Sequence, residues 1–239
     1  MGVLRIKKHD MKNNNKLFWA VAGLLLFSTV AFGQSKETRD LGDFSSVSVG
    51  EAIDLVLIQG NANQAVVNAR GIDLSDVLTE ISGSRLKVHL DDGRYNNVDV
   101  SIVLTSKAID KLQVSSAANV ETEGVLKADD LEVAVSSAGE AELELSVVDL
   151  EVDISSSGEL SVSGTAQTQD VEVSSAGSYN GADLKCKEAD VSVSSAGSAK
   201  LNVTGSLNAN ASSGGSVRYT GDPDKVRENS SSGGNVRSY

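Results

Sequence analysis

The stretch Val133-Ala134-Val135-Ser136-Ser137-Ala138-Gly139 determines the architecture of this chain, because versions of it recur along the C-terminal half. The first serines of successive Ser-Ser-Ala-Gly motifs, or close variants, are 21, 19, 19, 20, 18 and 19 residues apart. A fixed period of this length predicts a solenoid, in which each repeat buries its apolar face against its neighbours. The seven copies begin at Ser115, Ser136, Ser155, Ser174, Ser194, Ser212 and Ser231.

Apolar and polar residues alternate on both sides of the motif. In the third copy, Val152 and Ile154 flank Asp153 before the serines, and Leu160 stands between two polar residues after them. Alternation with a period of two indicates a strand with one buried face. Each repeat is therefore expected to contain a strand, a tight turn of small residues and a second strand, with the motif glycine supplying a positive φ.

A repeat of about 19 residues fits two strands of roughly six residues and two turns. Coils stacked about 4.8 Å apart place identical positions in ladders along the long axis. We therefore predict an all-β fold, a single-stranded and two-sheeted β-solenoid with about 19 residues per coil.

The chain divides into three parts. Residues 1–33 combine five Lys or Arg residues with an apolar run at residues 17–32, and small residues precede Gln34. This pattern predicts a secretory signal peptide cleaved before Gln34, and the alternative is an N-terminal membrane anchor. Residues 34–110 are expected to start the solenoid and residues 111–239 to carry its regular repeats, with 34–239 as one domain. Candidate strands in the irregular part are 44–49, 53–58, 64–69, 86–90 and 98–104.

Charge argues against two classes of partner. Residues 1–33 hold five of the 21 Lys and Arg residues and one of the 33 Asp and Glu residues, which leaves 16 against 32 and a net charge of −16. Such a surface repels nucleic acids and anionic membranes, so we expect neither nucleic-acid binding nor membrane insertion after signal cleavage.

Cys186 is the only cysteine, which excludes an intramolecular disulfide. Flanking Lys185 and Lys187 would lower its pKa if the thiol were exposed, whereas the alternative is a small buried residue.

The pattern from Asp40 to the C-terminus resembles the bacterial head GIN domain family of auto-transporter adhesins. The resemblance rests on Leu41-Gly42-Asp43-Phe44, Val47-Ser48-Val49-Gly50 and Ala52-Ile53-Asp54-Leu55, followed by the Asp-Leu-Glu-Val and Ser-Ser-Ala-Gly repeats. The family usually carries glycine as the second residue of the turn, where this chain has serine throughout. The resemblance implies an exported, pectin-lyase-like β-helix of Gram-negative bacteria with an adhesive role and no catalytic motif.

The residues themselves offer little catalytic chemistry. His89 is the only histidine after residue 33, which argues against a zinc cluster and a Ser–His nucleophile, and it is expected to point outward from its strand. Carboxylates at coil spacing are candidate calcium ligands, although a charged row is more often a solvated face, and we expect no cofactor or metal. These carboxylates are Glu121, Glu140, Glu142, Glu159 and, at a corner, Asp129, Asp130, Asp149, Asp170 and Asp190.

One outward position, six residues after the first serine, changes sign along the chain. Because coils stack about 4.8 Å apart, its last three residues are predicted to form a basic stripe that binds a partner, with Tyr219 and Tyr239 nearby. The partner would be an acidic glycan or the acidic N-terminal half of another copy, and the latter would make a homo-oligomer. Compensation by Asp222 and Asp224, or simple solvation, is the alternative. The position reads Glu121, Glu142, Ser161, Asn180, Lys200, Arg218 and Arg237.

These observations predict a non-enzymatic, exported protein of the cell envelope, located in the periplasm, at the cell surface or outside the cell. Its expected role is adhesion or scaffolding towards a glycan, an envelope or a host surface. The alternative is a polysaccharide-active enzyme, a lyase or hydrolase, on the same β-helix scaffold, which would need carboxylates in a substrate groove.

Overall fold

The computed structural model describes residues 35–239, which form seventeen β-strands and one short 3-10 helix at Leu74–Asp76. The predicted signal peptide at residues 1–33 and its cleavage before Gln34 lie outside the described residues. The strands up to the first serine motif are β1 Ser35–Asp40, β2 Ser46–Val49, β3 Asp54–Gln59, β4 Gln64–Arg70, β5 Val77–Ser82, β6 Arg85–Leu90, β7 Asp99–Ser106 and β8 Lys111–Val114. The remaining strands are β9 Asn119–Thr122, β10 Leu126–Val135, β11 Glu140–Ile154, β12 Glu159–Val173, β13 Ser178–Val193, β14 Ser198–Ala211, β15 Ser216–Thr220, β16 Lys225–Ser230 and β17 Asn235–Ser238.

Each regular coil is built by one long strand that leaves a turn, bends at a corner and enters the next turn. In β11, buried and exposed residues alternate up to Val147, two exposed residues follow at Val148 and Asp149, and the alternation resumes from Leu150. The interruption divides the strand between two sheets that enclose the core. This confirms the predicted all-β, two-sheeted β-solenoid with about 19 residues per coil.

Neighbouring coils pair in parallel, so equivalent residues stack in ladders. Val135 pairs with Ile154, which pairs with Val173, and this ladder continues through Val193 and Ala211. All five residues are buried. Burial of a Val or Leu side chain contributes about 1.5–3 kcal/mol, and the core consists of such rows along the whole solenoid.

The Ser-Ser-Ala-Gly motif forms a four-residue turn of type I′ character, with positive φ at both central residues. The Gly139 N–H donates to the carbonyl of Ser136 at 2.9 Å, and Ser137 and Ala138 have φ of 52° and 58°. The expectation that the motif glycine supplies the positive φ is therefore wrong for the fourth position, whereas Gly214 and Gly233, the third residues of the last two copies, do supply it with φ of 76° and 79°. Glycine is needed at position 139 because a side chain would clash with the neighbouring coil: a Cβ there would lie 2.9 Å from the carbonyl oxygen of Val114.

Hydrogen bonds between coils hold these turns. The Ala138 N–H donates to the carbonyl of Ser156 at 3.1 Å, and the Ser157 N–H donates to the carbonyl of Ser175 at 3.0 Å. The same bond recurs from coil to coil and forms a ladder along the turns. Strained backbone conformations persist where the surrounding structure fixes them in this way.

Strands β2 and β3 form a further coil that the repeat analysis missed. Their connection places Glu51 and Ala52 at positive φ, 62° and 56°, and the Ala52 N–H donates to the carbonyl of Ser116 at 2.9 Å, as in the serine turns. This coil is out of chain order, because β2 lies between β6 and β8, and β3 lies between β7 and β9. The coil made from residues 46–59 is thus inserted between two coils that come later in the sequence.

Antiparallel strands cover the N-terminal end of the solenoid. Strand β4 pairs with β7, β1 pairs with β4, and β5 pairs with β6. Each of the five strands predicted from the sequence in this part overlaps an observed strand, whereas β1 and β5 were not predicted. Within residues 35–239, no helix has the length and apolarity needed to cross a membrane.

The C-terminal coil is polar. Every residue of β16 is exposed, and Glu228 and Ser230 stand where earlier coils place buried aliphatic residues. The Tyr219 hydroxyl donates to the Glu228 carboxylate at 2.8 Å, and these two side chains cover the C-terminal end of the core.

Candidate functional site

The structure places the three cations of the predicted stripe on adjacent coils. Lys200 pairs in register with Arg218, and Arg218 pairs with Arg237. All three side chains are exposed. Equivalent residues of paired parallel strands lie about 4.8 Å apart, so the stripe Lys200–Arg218–Arg237 is a compact group of three positive charges.

None of these cations belongs to an ion pair within the described part of the chain, whose ion pairs all involve other residues. The expected compensation by Asp222 and Asp224 therefore does not take the form of direct contact. Arg237 instead donates from Nε to the amide oxygen of Asn235 at 2.7 Å. The positive groups of the stripe remain open to a partner.

The same row carries carboxylates at its other end. Glu121 pairs with Glu142, and Ser161 and Asn180 connect Glu142 to Lys200 through successive pairings. Glu121 and Glu142 are exposed and take no part in an ion pair among residues 35–239. One outward row therefore runs from negative through neutral to positive.

The two tyrosines expected beside the stripe have different positions. Tyr219 pairs with buried Leu201 in an inward-facing row and is half-buried against the core, and the hydrogen bond to Glu228 raises its pKa. Its ring closes the core and does not belong to the outward face of the stripe, which corrects its expected placement. Tyr239 is 60% exposed, and its N–H donates to the carbonyl of Tyr219.

The other sheet bears an acidic groove of ≈ 1080 Å³ along the corner of the coils. Its floor is a buried row that includes Leu150, Gln169 and Leu207, and carboxylates line both walls. Partial burial raises the pKa of Asp170, and the nearby carboxylates of Asp190 and Asp153 raise it further. The wall carboxylates are Asp110, Asp130, Glu132, Asp149, Glu151, Asp170, Glu188 and Asp190.

The corner carboxylates proposed as calcium ligands do not form one row. Asp130 pairs with Asp149, but Asp149 pairs with Thr168 and donation from that hydroxyl occupies one of its oxygens. Asp170 pairs with Asp190 in the neighbouring row. Among residues 35–239, no group of three or more His, Cys, Asp or Glu side chains has the arrangement of a metal site.

A polar group lies inside the core between strands β12 and β13. Buried Tyr179 donates from its hydroxyl to Gln169 Oε1 at 2.7 Å, and Gln169 Nε2 is buried without a partner in the described structure. Cys186 is 2% exposed, and its sulfur donates to the Glu188 carbonyl at 3.0 Å. Burial raises the pKa of the Cys186 thiol, so the reading of this cysteine as a small buried residue fits better than a reactive thiol.

His89 is more covered than expected. Its side chain is 14% exposed, and its Nε2 lies 3.2 Å from the Glu80 carboxylate of antiparallel β5. The sequence prediction placed it on an outward position of β6 but did not include β5. The structure assigns it a contact between these two strands.

Comparisons with known proteins agree with this geometry. A family described as “Putative auto-transporter adhesin, head GIN domain” matches residues 43–223. No curated protein sequence matches the chain.

Three crystal structures are similar in fold. A “putative adhesin” from Bacteroides fragilis has a TM-score of 0.77 at 18% identity, covering 87% of this chain and 98% of its own. A “putative adhesin” from Parabacteroides merdae has a TM-score of 0.72 at 19% identity, covering 86% and 95%. A “putative lipid binding protein” from Parabacteroides distasonis has a TM-score of 0.68 at 21% identity, covering 85% and 96%. These likenesses concern the fold, whereas the family match extends over well over half of the sequence. The chain therefore belongs to the head GIN domain family.

Proposed function

We propose that the protein is exported to the cell envelope and acts there as a non-enzymatic adhesive or scaffolding surface that contacts an acidic partner. The observation that carries the proposal is the stripe Lys200–Arg218–Arg237, three cations in register on a chain of strongly negative charge. Membership of a family described as adhesins supports this role. Rigid parallel pairing supports it as well, because it presents charged groups at a constant spacing.

The physical argument concerns several weak contacts acting together. One exposed ion pair contributes about 0–1 kcal/mol and is screened by salt. Three cations on adjacent coils engage successive negative groups of a partner at one time, so their contributions reinforce one another. A partner with negative charges repeated at a few ångströms fits this stripe.

Retention on an immobilised sulfated polysaccharide tests the stripe. The parent protein is expected to elute at higher salt than the double variant Lys200→Glu, Arg218→Glu. Lys185→Glu with Lys187→Glu makes the same charge change at two exposed positions outside the stripe and serves as the matched control. Equal elution of all three proteins would refute a role for the stripe.

Export is tested at the N-terminus. Mass spectrometry of the protein from a Gram-negative host should find a chain that begins at Gln34. Recovery of residues 1–33 in a membrane-bound product would support the anchor and contradict signal cleavage.

The acidic groove favours a polysaccharide-active enzyme as the second candidate function, because a carboxyl with a raised pKa, Asp170, lies among carboxylates there. Glycoside hydrolysis usually needs one protonated carboxyl group and one carboxylate on either side of the bond that is cleaved. A screen for cleavage of acidic polysaccharides, with and without calcium, separates the two candidates. Cleavage that is lost in Asp170→Asn would replace the non-enzymatic proposal.

A further inference from the structure

The outward face that carries the stripe has an uneven distribution of charge in two neighbouring rows. The first row is the one that ends in the stripe. Its carboxylates occupy the first two of the seven positions in the serine-motif coils, and beyond Glu121 the row continues through Val56 and Val103. The second row lies two residues earlier in each coil, and from its fourth position onward it carries only hydroxyl and amide groups. The second row reads Asn119, Glu140, Glu159, Ser178, Ser198, Ser216 and Asn235.

We propose that the acidic partner of the stripe is a second copy of this chain, packed face to face with its long axis antiparallel. The two-fold axis passes the coil of Ser178 and Asn180, at the middle of the seven serine-motif coils. Glu142 of one copy then faces Arg218 of the other, and Glu121 faces Arg237. In the second row, Glu140 faces Ser216 and Glu159 faces Ser198, so these carboxylates face hydrogen-bond donors.

The antiparallel direction follows from the order of charges. Parallel packing of the same faces would place Glu121 on Glu121 and Arg218 on Arg218, and like charges in an interface are strongly unfavourable. End-to-end stacking of two solenoids would leave both rows out of contact and would place the polar last coil, with Glu228, in the interface. A two-fold arrangement uses one patch twice and closes the assembly as a dimer.

The geometry of the face permits close approach. The middle of both rows carries short side chains, with Ser161, Ser178 and Asn180 half-buried, so no long group separates the two sheets. Both rows repeat at about 4.8 Å, so seven coils by the length of a six-residue strand span roughly 34 by 20 Å and bury roughly 600 Å² per copy. The total of roughly 1,200 Å² lies at the lower end of specific interfaces, so the association is expected to be weak and sensitive to salt.

A charge swap tests the arrangement, which rests on the proposed acidic partner of the stripe. In sedimentation velocity at low salt, the purified exported protein should form dimers, and high salt should dissociate them. Glu142→Arg or Arg218→Glu alone should weaken association about tenfold or more, since each places like charges in contact. The double variant Glu142→Arg, Arg218→Glu should restore it, because each copy again offers one charge of either sign. Glu172→Arg, an equal charge change at an exposed position on the other sheet, should have no effect.

The outcomes separate this inference from the proposed function. A parent protein that stays monomeric at low salt, or a double variant that remains as weak as the single ones, overturns the antiparallel dimer. If retention on the sulfated polysaccharide still depends on the stripe in that case, the proposed function stands and a foreign polyanion is the partner. Circular dichroism and melting of every variant confirm that the fold is retained.

Discussion

Twelve serine and alanine residues of the turns adopt a left-handed backbone conformation that residues other than glycine rarely use. Each such residue costs roughly 1–2 kcal/mol. The cost is offset by the hydrogen bonds within each turn and between turns, each worth about 0.5–1.5 kcal/mol net. The second turn residue is Ser137 in one coil, and its φ is 52°. Serine there sacrifices stability that glycine would retain.

Opposite effects are therefore expected at two positions of the turns. Ser175 has φ of 50°, and Ser175→Gly should raise the free energy of unfolding by about 0.5 kcal/mol. The relief of backbone strain exceeds the effect of the added entropy of the unfolded chain. Gly158→Ala should lose about 1–3 kcal/mol, because its Cβ would lie 2.6 Å from the Val135 carbonyl oxygen. Urea unfolding measures both changes, and stabilisation by Gly158→Ala would contradict this account of the fourth position.

The pair formed by Tyr179 and Gln169 is an exception in an otherwise aliphatic core. Gln169 lies in a row between Leu150 and Ala189, and Leu207 follows. Its oxygen accepts from Tyr179, but its Nε2 has no partner among the described residues. An unpaired buried polar group costs about 1–3 kcal/mol, so each member of the pair is needed mainly because the other is present.

A double-mutant cycle should show this dependence. Tyr179→Phe leaves the Gln169 amide without any partner, and Gln169→Leu leaves the tyrosine hydroxyl unpaired, so each change should cost about 1–3 kcal/mol. The double variant should lose less than either single variant, because leucine is the residue that neighbouring coils place in this row. Free energies of unfolding from denaturant titration measure the coupling between the two side chains. Additive losses would show that they act independently.

Strand ends in the N-terminal region are joined by side chains that replace backbone pairing. Buried Asn63 donates from Nδ2 to the Gly42 carbonyl at 3.0 Å and accepts from the Lys107 N–H at 3.1 Å. It thereby joins the segment before β2 to the segment after β7. In a similar way, the Gln59 side chain bonds to both the N–H and the carbonyl of Lys127.

Removal of the Asn63 amide should loosen this region selectively. Asn63→Ala leaves two backbone groups without their partner and should cost about 1–3 kcal/mol, whereas exposed Asn61→Ala should have little effect. Hydrogen exchange should show faster exchange in β1 and β4 of the first variant and unchanged exchange in β12. Uniform loss of protection along the whole solenoid would contradict a local role.

The regular coils could be predicted from the sequence because every copy repeats the same alternation at nearly the same spacing, as in Val171 and Val173. The inserted coil could not, because Gly50-Glu51-Ala52-Ile53 lacks the serine pair and no period connects it to Ser115. Its signal was the spacing of Val47, Val49 and Leu55, which equals that of the regular coils. The stacking of Lys200 with Arg218 followed from the period. Because Val217 points inward and Arg218 outward, the alternation also implied an inward Tyr219, and its expected place beside the stripe did not take this into account.

Across the molecule, carboxylates concentrate along the corner groove and on the first half of the stripe face. Crowding in the groove raises the pKa of Asp170, through burial first and then through Asp190 and Asp153. The folded state therefore binds this proton more tightly than the unfolded chain does. The resulting stability is fully present below the ordinary pKa and is lost as pH rises through the folded value.

The pH dependence of stability should reveal this crowding. As the pH rises past 3.8, the ordinary value of the group, the parent should lose stability relative to Asp170→Asn. Asp183→Asn removes an equal charge from the other sheet and is the matched control. Urea unfolding from about pH 3 to 7 measures the difference, and parallel curves for the parent and Asp170→Asn would contradict the assignment.

The coil inserted out of order has a consequence for how the chain folds and how it comes apart under tension. Residues 46–59 find their parallel neighbours only after residues 85–122 have been synthesised, so the N-terminal end cannot assemble stepwise as the chain emerges. Among residues 35–239 the last coil pairs with the preceding coil alone, so the C-terminal coils can peel off one at a time from that end under a pulling force. The inserted coil is held between two coils that are formed by later residues, and we expect it to be the last part to unravel when the protein is stretched from its ends.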